Sequence, residues 1–333
     1  MIARRIATAT LFMAVLIFSA ASLRAAPDVS ALLSAAQRQF NTGNYNNAIS
    51  TLQSAAAQAP SNAEVRYWLG RSYYELRDYD NAIANAEKSV SLDPKNSLYH
   101  QWLGQAYGGK ADREHSFFFA KKVKQAFEDA VRLNPSNIEA RRDLEEYDLD
   151  APWIVGGNKD EAKAQVDAVA ALDPVQGHLA RAVLLASQSK KPDQAEAEYR
   201  QVLAAKPSQI EPYLEVAGFY QKQNNSAGID AAIAAAAQVN SSDPRLNFFR
   251  GVSLVIAGAN PTQAEQDLKS YIASTPQRSD WPSHGSARDW LGRLYEAQGK
   301  RAEAAEQYRA ALQVEPDLKD ARSRLDHLEK NAK

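Results

Sequence analysis

The chain repeats itself. Residues 63–96 read AEVRYWLGRSYYELRDYDNAIANAEKSVSLDPKN, and residues 285–318 read GSARDWLGRLYEAQGKRAEAAEQYRAALQVEPDL. Each carries Trp-Leu-Gly-x-x-Tyr, an Ala nine residues after that Tyr, and a Pro twelve residues after that Ala. A period near 34 residues means that one small unit is copied along the chain, and this governs every other reading of the sequence. Pro60, Pro94, Pro135, Pro174, Pro207, Pro244, Pro276 and Pro316 mark successive units, at intervals of 32 to 41 residues. The upstream Ala recurs as Ala48, Ala82, Ala162, Ala195, Ala232, Ala264 and Ala304, with Val123 in the one remaining place. Ala, the best helix former, is also the commonest residue, and Pro cannot continue a helix. The units are therefore expected to be helical, each closed by its Pro.

The pattern closely resembles the tetratricopeptide repeat, whose unit is a helix–turn–helix of 34 residues. The later copy also has Gly299 at the inter-helix turn, with Tyr308 and Ala311 beyond it. The resemblance covers nearly all of the chain past its first thirty residues. It implies an all-α fold: a right-handed α-solenoid of about eight helix–turn–helix units with a C-terminal capping helix. The units fall near 29–62, 63–96, 97–137, 138–174, 175–207, 208–244, 245–276 and 285–318, and residues 319–333 supply the cap and tail. Side-chain size is the physical cause. Gly70, Gly104, Gly251 and Gly292 are expected where the two helices of a unit approach, opposite Ala82, Ala195 and Ala304 on the second helices. Leu69 and Tyr73, four apart, share a helical face and fill the seam. One hairpin cannot bury its apolar face alone, so stacked neighbours must build a continuous core.

Ahead of the array, Met1 to Ala26 reads as a secretory signal peptide. Arg4 and Arg5 precede the apolar run Leu11 to Phe18, and small residues follow at Ser19, Ala20, Ala21, Ser22, Ala25 and Ala26. Cleavage is expected after Ala21, Ser22 or Ala25. The alternative is an uncleaved anchor in the inner membrane, because Ile6 to Leu23 carries no charge. That stretch is at the short end of a membrane span and is diluted by Thr8, Thr10, Ser19 and Ser22. A periplasmic or secreted protein is the expectation, with no membrane contact after cleavage.

Composition excludes several functions. The 39 Lys and Arg against 40 Asp and Glu leave a net charge of −1, without the basic surplus that nucleic-acid binding demands. The absence of Cys removes disulfides, thiol nucleophiles and thiolate metal sites. Gly104 to Lys110 has the spacing of a phosphate-binding loop, but Ala111 lacks the hydroxyl that would hold Mg²⁺, and the stretch belongs to a helical repeat. His100, His115, His178, His284 and His327 share no ligand spacing, so no metal is expected. His115 and Ser116, adjacent in sequence, are not a triad. Glu145-Glu146 and Glu211 with Glu215 read as solvated helix faces. No catalytic residue and no cofactor is expected, and the chain reads as a non-enzyme.

Two surfaces remain as binding candidates. The first is the concave groove implied by the resemblance. Tyr67, Arg71 and Tyr74 recur there at helical spacing with Glu64, followed by Leu98, Gln101 and Gln105, and then by Glu139, Arg142 and Glu146. Exposed Tyr and Arg suit peptide recognition, and an ordinary polar helix face is the alternative. The second lies where two units are stretched, from Pro94 to Pro135 and from Pro135 to Pro174. Their surplus falls around Gly108 to Phe119 and Ala151 to Asn158, both between first and second helices and so on one edge of the array. His115, Phe117, Phe118, Phe119, Trp153 and Ile154 either form a binding edge or pack on one another as a satellite core.

The function expected is an exported scaffold for a protein or peptide partner. A holdase-like assembly factor for an envelope or secretion complex is one alternative, and an enzyme with its site at the inserts 108–123 and 149–158 is another. Family members that clamp the carboxylate tails of chaperones use Lys, Asn and Arg on their first helices. Here the matching places hold Leu33, Gln37, Trp68, Leu98 and Trp102, so such tails are excluded as partners.

Overall fold

The computed structural model describes residues 28–188 and 192–330. The expected signal peptide and its cleavage sites lie outside the described residues. Eight antiparallel helix pairs follow one another. They are α1 (Val29–Asn41) with α2 (Tyr45–Gln58), α3 (Ala63–Glu75) with α4 (Tyr79–Leu92), and α5 (Ser97–Glu114) with α6 (Phe117–Leu133). Next come α7 (Ile138–Asp150) with α8 (Lys159–Leu172), α9 (Pro174–Ala186) with α10 (Pro192–Ala205), and α11 (Glu211–Lys222) with α12 (Ser226–Val239). The last pairs are α13 (Arg245–Ala257) with α14 (Pro261–Ser274) and α15 (His284–Ala297) with α16 (Arg301–Val314). α17 (Lys319–Lys330) caps the end, and a single 3-10 turn, Trp153–Val155, lies between α7 and α8. This is the all-α solenoid expected.

Local chemistry starts and stops these helices. Asn62, Asp78, Asn96, Asn137 and Asn158 each accept a backbone N–H from the first turn of the helix that follows. Each such cap stabilises its helix by about 1 kcal/mol. Pro60, Pro94, Pro135, Pro207, Pro276 and Pro316 come just after the last turn of a second helix, where no further N–H is available to continue it. Gly299 turns α15 into α16 at a φ of +74°, which residues with a side chain rarely adopt.

Packing within each pair depends on small residues. A Cβ at Gly70 would stand 3.2 Å from the carbonyl oxygen of Ala82 and 3.3 Å from the amide nitrogen of Ala86. At Gly104 it would enter the Phe127 ring, and at Gly292 the Tyr308 ring. Ala82, Ala195 and Ala304 are fully buried opposite. The first helices touch one another from unit to unit, and the second helices pack chiefly on first helices, so the first helices form the inner, concave layer.

The stretched units differ from each other. Around Ala151 to Asn158 the surplus is a connection, shaped by the 3-10 turn. Around Gly108 to Phe119 the expected insert loop is absent, because the surplus lengthens both helices of the unit. α5 runs 18 residues and α6 runs 17, separated only by His115 and Ser116. His115 stops α5 in a left-handed conformation at φ +50°, while Ser116 caps α6. Gly108 and Gly109 both lie within α5; a Cβ at Gly109 would enter the Tyr79 ring, whereas one at Gly108 would meet only a Val123 methyl at 3.9 Å.

The array also closes on itself. The connection between α14 and α15 reaches the turn edge of the first two pairs, more than two hundred residues away in sequence. The Tyr45 hydroxyl donates to the Gln277 carbonyl oxygen at 2.6 Å. The Ser279 amide and hydroxyl both donate to the Glu75 carboxylate, at 2.8 and 2.9 Å. Pro276 lies against Gly43, where a Cβ has no room. This clasp joins the connection between the seventh and eighth pairs to the first two pairs.

Candidate functional site

The concave layer holds the groove residues in three groups. In the first, Arg71 from α3 is enclosed by rings. Its guanidinium carbon lies 4.2 Å from the Trp102 ring centre, 4.8 Å from those of Phe40 and Trp68, and 5.6 Å from that of Tyr67. One Arg71 nitrogen donates to the Tyr67 hydroxyl at 3.3 Å. Guanidinium over aromatic faces is attractive, and more so when water is excluded. Tyr67 itself is only 7% exposed. It therefore serves as wall rather than as the exposed contact the spacing suggested. Tyr74 stands edge-on to Trp102 and Tyr79, and burial pushes its phenol well above the usual range.

The second group centres on Asp143 of α7. Gln101 and Gln105 of α5 donate to its two oxygens at 2.8 and 2.9 Å, and Asn137 donates to the Gln101 carbonyl at 3.2 Å. Gln101 is 4% exposed, so its amide is committed to this network. Burial raises the Asp143 carboxyl to about 6, against the lowering effect of the two amides.

The third group spans α7 to α11. Arg142 forms a two-pronged pair with Glu215, at 2.9 and 2.7 Å, and reaches Gln176 at 3.3 Å. Glu145, next to this pair, is 2% exposed and one of its oxygens has no partner. Burial pushes its carboxyl up to about 8, partly offset by Arg142. Of the four acids expected on solvated faces, Glu146 and Glu211 are exposed, Glu215 is half-buried in its pair with Arg142, and Glu145 is buried, which corrects the expectation for it. α7 lies in the inner layer, packed against α9.

The two stretched units meet at one edge, as their shared side of the array required. The Tyr147 hydroxyl lies 2.8 Å from the carbonyl oxygens of both Ala120 and Val155, tying α6 to the 3-10 turn. The Lys124 ammonium donates to Asp148, Glu161 and the Gly156 carbonyl at 3.0, 2.6 and 2.6 Å. On this fixed edge Phe117 is 62% exposed, Phe118 63%, Trp153 83% and Ile154 52%. Phe119 alone turns inward, with its ring centre 6.0 Å from that of Tyr107. His115 is exposed at the start of the edge. Beside it opens a cavity of about 570 Å³, walled by α5, α6, α7 and the 3-10 turn. Groove and edge meet there, since Tyr74, Gln105, Asp143, His115 and Phe117 all line it.

Gly104 to Lys110 lies wholly inside α5, and Lys110 pairs with Asp80, so the phosphate-loop spacing has no strand-to-helix turn behind it. Among the described residues no cluster of three or more His, Asp or Glu is arranged to hold a metal ion.

A family model described as tetratricopeptide repeat matches residues 33–97, 155–210 and 260–320. The chain belongs to the tetratricopeptide-repeat family. Several solved structures are similar to it at low identity. Yeast Tom70 aligns over 94% of this chain and 66% of its own, at 14% identity and a TM-score of 0.62. The APC/C hetero-tetramer Cut9-Hcn1 aligns over 89% of this chain and 55% of its own, at 12% identity and a TM-score of 0.50. A tetratricopeptide repeat protein from Parabacteroides merdae aligns over 90% of this chain and 98% of its own, at 13% identity and a TM-score of 0.46. Comparison with curated proteins gives no match.

Within this tetratricopeptide-repeat protein several site residues were not singled out from sequence. Asp143 and Asp150 continue the helical row of Glu139 and Glu146, a spacing that was open to reading. Phe40 and Trp102 enclose Arg71 from neighbouring units, and Glu215 meets Arg142 across 73 positions, so no local pattern points to either arrangement.

Proposed function

We propose that this tetratricopeptide-repeat protein is an exported scaffold, not an enzyme, that binds a protein partner through its concave groove and the adjoining edge. The observation that carries the reading is the exposure of Phe117, Phe118, Trp153 and Ile154 beside an open cavity. Large aromatic side chains left in water on a rigid edge are the anchors that dominate protein interfaces. A satellite core would have turned them inward, as Phe119 does.

Capture of partners from the native extract by the mature protein tests this, with the Phe118→Ser/Trp153→Ser variant beside it. The expected outcome is a loss of specific capture with a melting temperature that hardly moves, because exposed positions contribute within about ±0.5 kcal/mol. Unchanged capture by the variant sinks the reading. Export rests on Arg4, Arg5 and the apolar run to Phe18. N-terminal sequencing of the exported protein is expected to begin between Ser22 and Ala26, and an intact Met1 on a membrane-bound form would establish the anchor instead.

A further inference from the structure

The cavity beside the exposed edge has a character of its own. Its volume of about 570 Å³ suits a side chain with part of its backbone. Asp112, Asp143, Glu146 and Asp150 supply its charge, and no Lys or Arg is among its lining residues. None of these four carboxylates takes part in an ion pair among the described residues. Acids just outside it behave differently: Asp80 is paired by Lys110, and Asp148 and Glu161 by Lys124. Asp143 is also held in place, with one amide of α5 on each oxygen. Apart from Gln105, His115 and Ser116 the remaining wall is apolar or aromatic, with Tyr74, Val123, Phe127, Tyr147 and the exposed Phe117 beside the acids.

A negative, preformed and partly apolar hollow with an aromatic mouth is complementary to one kind of group. We propose that this cavity takes the cationic side chain, Arg or Lys, of an apolar segment in the protein partner. The carboxylates meet the charged head, the aromatic wall covers the alkyl stem, and the residues flanking the cation lie on Phe117, Phe118 and Trp153. Charge complementarity selects this occupant: a carboxylate would meet like charge, and an uncharged side chain would desolvate the acids without replacing their water. The proposal rests on the reading of the edge as a partner surface and adds the chemistry of what that surface reads.

The test uses the full mature protein and three fluorescein-labelled, acetylated and amidated pentapeptides. The first has Arg flanked on each side by Leu and Phe, the second has norleucine in place of Arg, and the third has Glu. Fluorescence anisotropy is expected to show saturable binding of the Arg peptide, weaker binding of the norleucine peptide by about tenfold, and none of the Glu peptide. Asp143→Asn/Glu146→Gln is expected to weaken the Arg peptide by about tenfold and to leave the norleucine peptide unchanged. Glu146→Gln/Asp150→Asn, which leaves the buried amide network intact, is expected to act in the same direction and guards against a folding artefact. Equal binding of the Arg and norleucine peptides, indifference of the Arg peptide to both variants, or no saturable binding of it overturns the proposal. If partner capture still depends on Phe118 and Trp153 after such a result, the scaffold reading stands and only the cationic specificity falls.

Discussion

From Leu179 to Leu294 the buried side chains form one continuous core that runs through three helix pairs and into the first helix of a fourth. From Ala36 to Ala180 they break into separate clusters, although both regions bury polar groups, such as Gln101 and Glu145 in one and Asp267 and Asp289 in the other. The cavity and the exposed aromatics belong to this broken region. Both regions are made of the same hairpin. The difference lies in how much of each hairpin's surface is spent on its neighbours. In a quasi-one-dimensional array each interface contributes its own share of stability, so a region with a well-filled core can carry a neighbour whose core is broken. Units three and four hold the cavity and the exposed aromatics, the surface proposed above for a partner.

The sharpest way to break this comparison is to cut into the continuous core. Phe248, 1% exposed, packs inside the seventh helix pair, against Phe249 of its own helix and Tyr271 of α14. Phe248→Ala is expected to cost about 3–5 kcal/mol, seen as a large fall in the thermal midpoint. A change near the ±0.5 kcal/mol or so typical of exposed sites would show that the later half is not the stabilising one.

A smaller effect comes from pH and belongs to the broken half. The Asp143 carboxyl titrates at about 6 and that of Glu145 at about 8 in the fold, both above their ordinary values because burial disfavours the charge. The folded state therefore binds these protons more tightly than the unfolded chain. Stability of this region is expected to rise as pH falls from about 8 towards about 4, where unfolded carboxyls also become protonated. Hydrogen exchange in α7, corrected for intrinsic rates, should slow between pH 7.5 and pH 5.5 by more than it does in α13. Glu145→Gln should remove most of that dependence, and a dependence of the opposite sign would contradict the burial argument.

The smallest stability change is expected at the clasp, which bridges the two halves. Glu75→Ala removes the acceptor of both Ser279 hydrogen bonds, at a cost of about 1 kcal/mol. Its effect on shape should be plainer. The chain has no Cys, so spin labels can be placed through Asn46→Cys and Ser274→Cys alone. A narrow inter-label distance in the parent and a longer, broader one with Glu75→Ala is the expected result. An unchanged distance would mean that unit stacking alone holds the curve closed.

Much of this molecule could be read from local pattern. Gly70, Gly292 and the buried Ala row declare the helix seams because a seam needs a small residue at a fixed phase of the repeat. The exposed aromatics were legible as residues, since Phe117 and Trp153 fall where the spacing of Pro stretches. Their orientation was not, because the same surplus makes longer helices in one unit and a 3-10 turn in the next. The interval from Pro276 to Pro316 is also stretched, to 40 residues, and the surplus there supplies Gln277 and Ser279 for the clasp. Nothing near those residues announces Tyr45 or Glu75 as partners.

By itself, then, the sequence determined the period, the helical unit and the seams, since these follow from contacts within one hairpin and its neighbour. Tertiary structure alone decided the Arg142–Glu215 pair, the ring of aromatics around Arg71, the cavity and the clasp. The reason is accumulation. Each unit turns a little relative to the last, and only the sum of those rotations brings residues from distant units face to face.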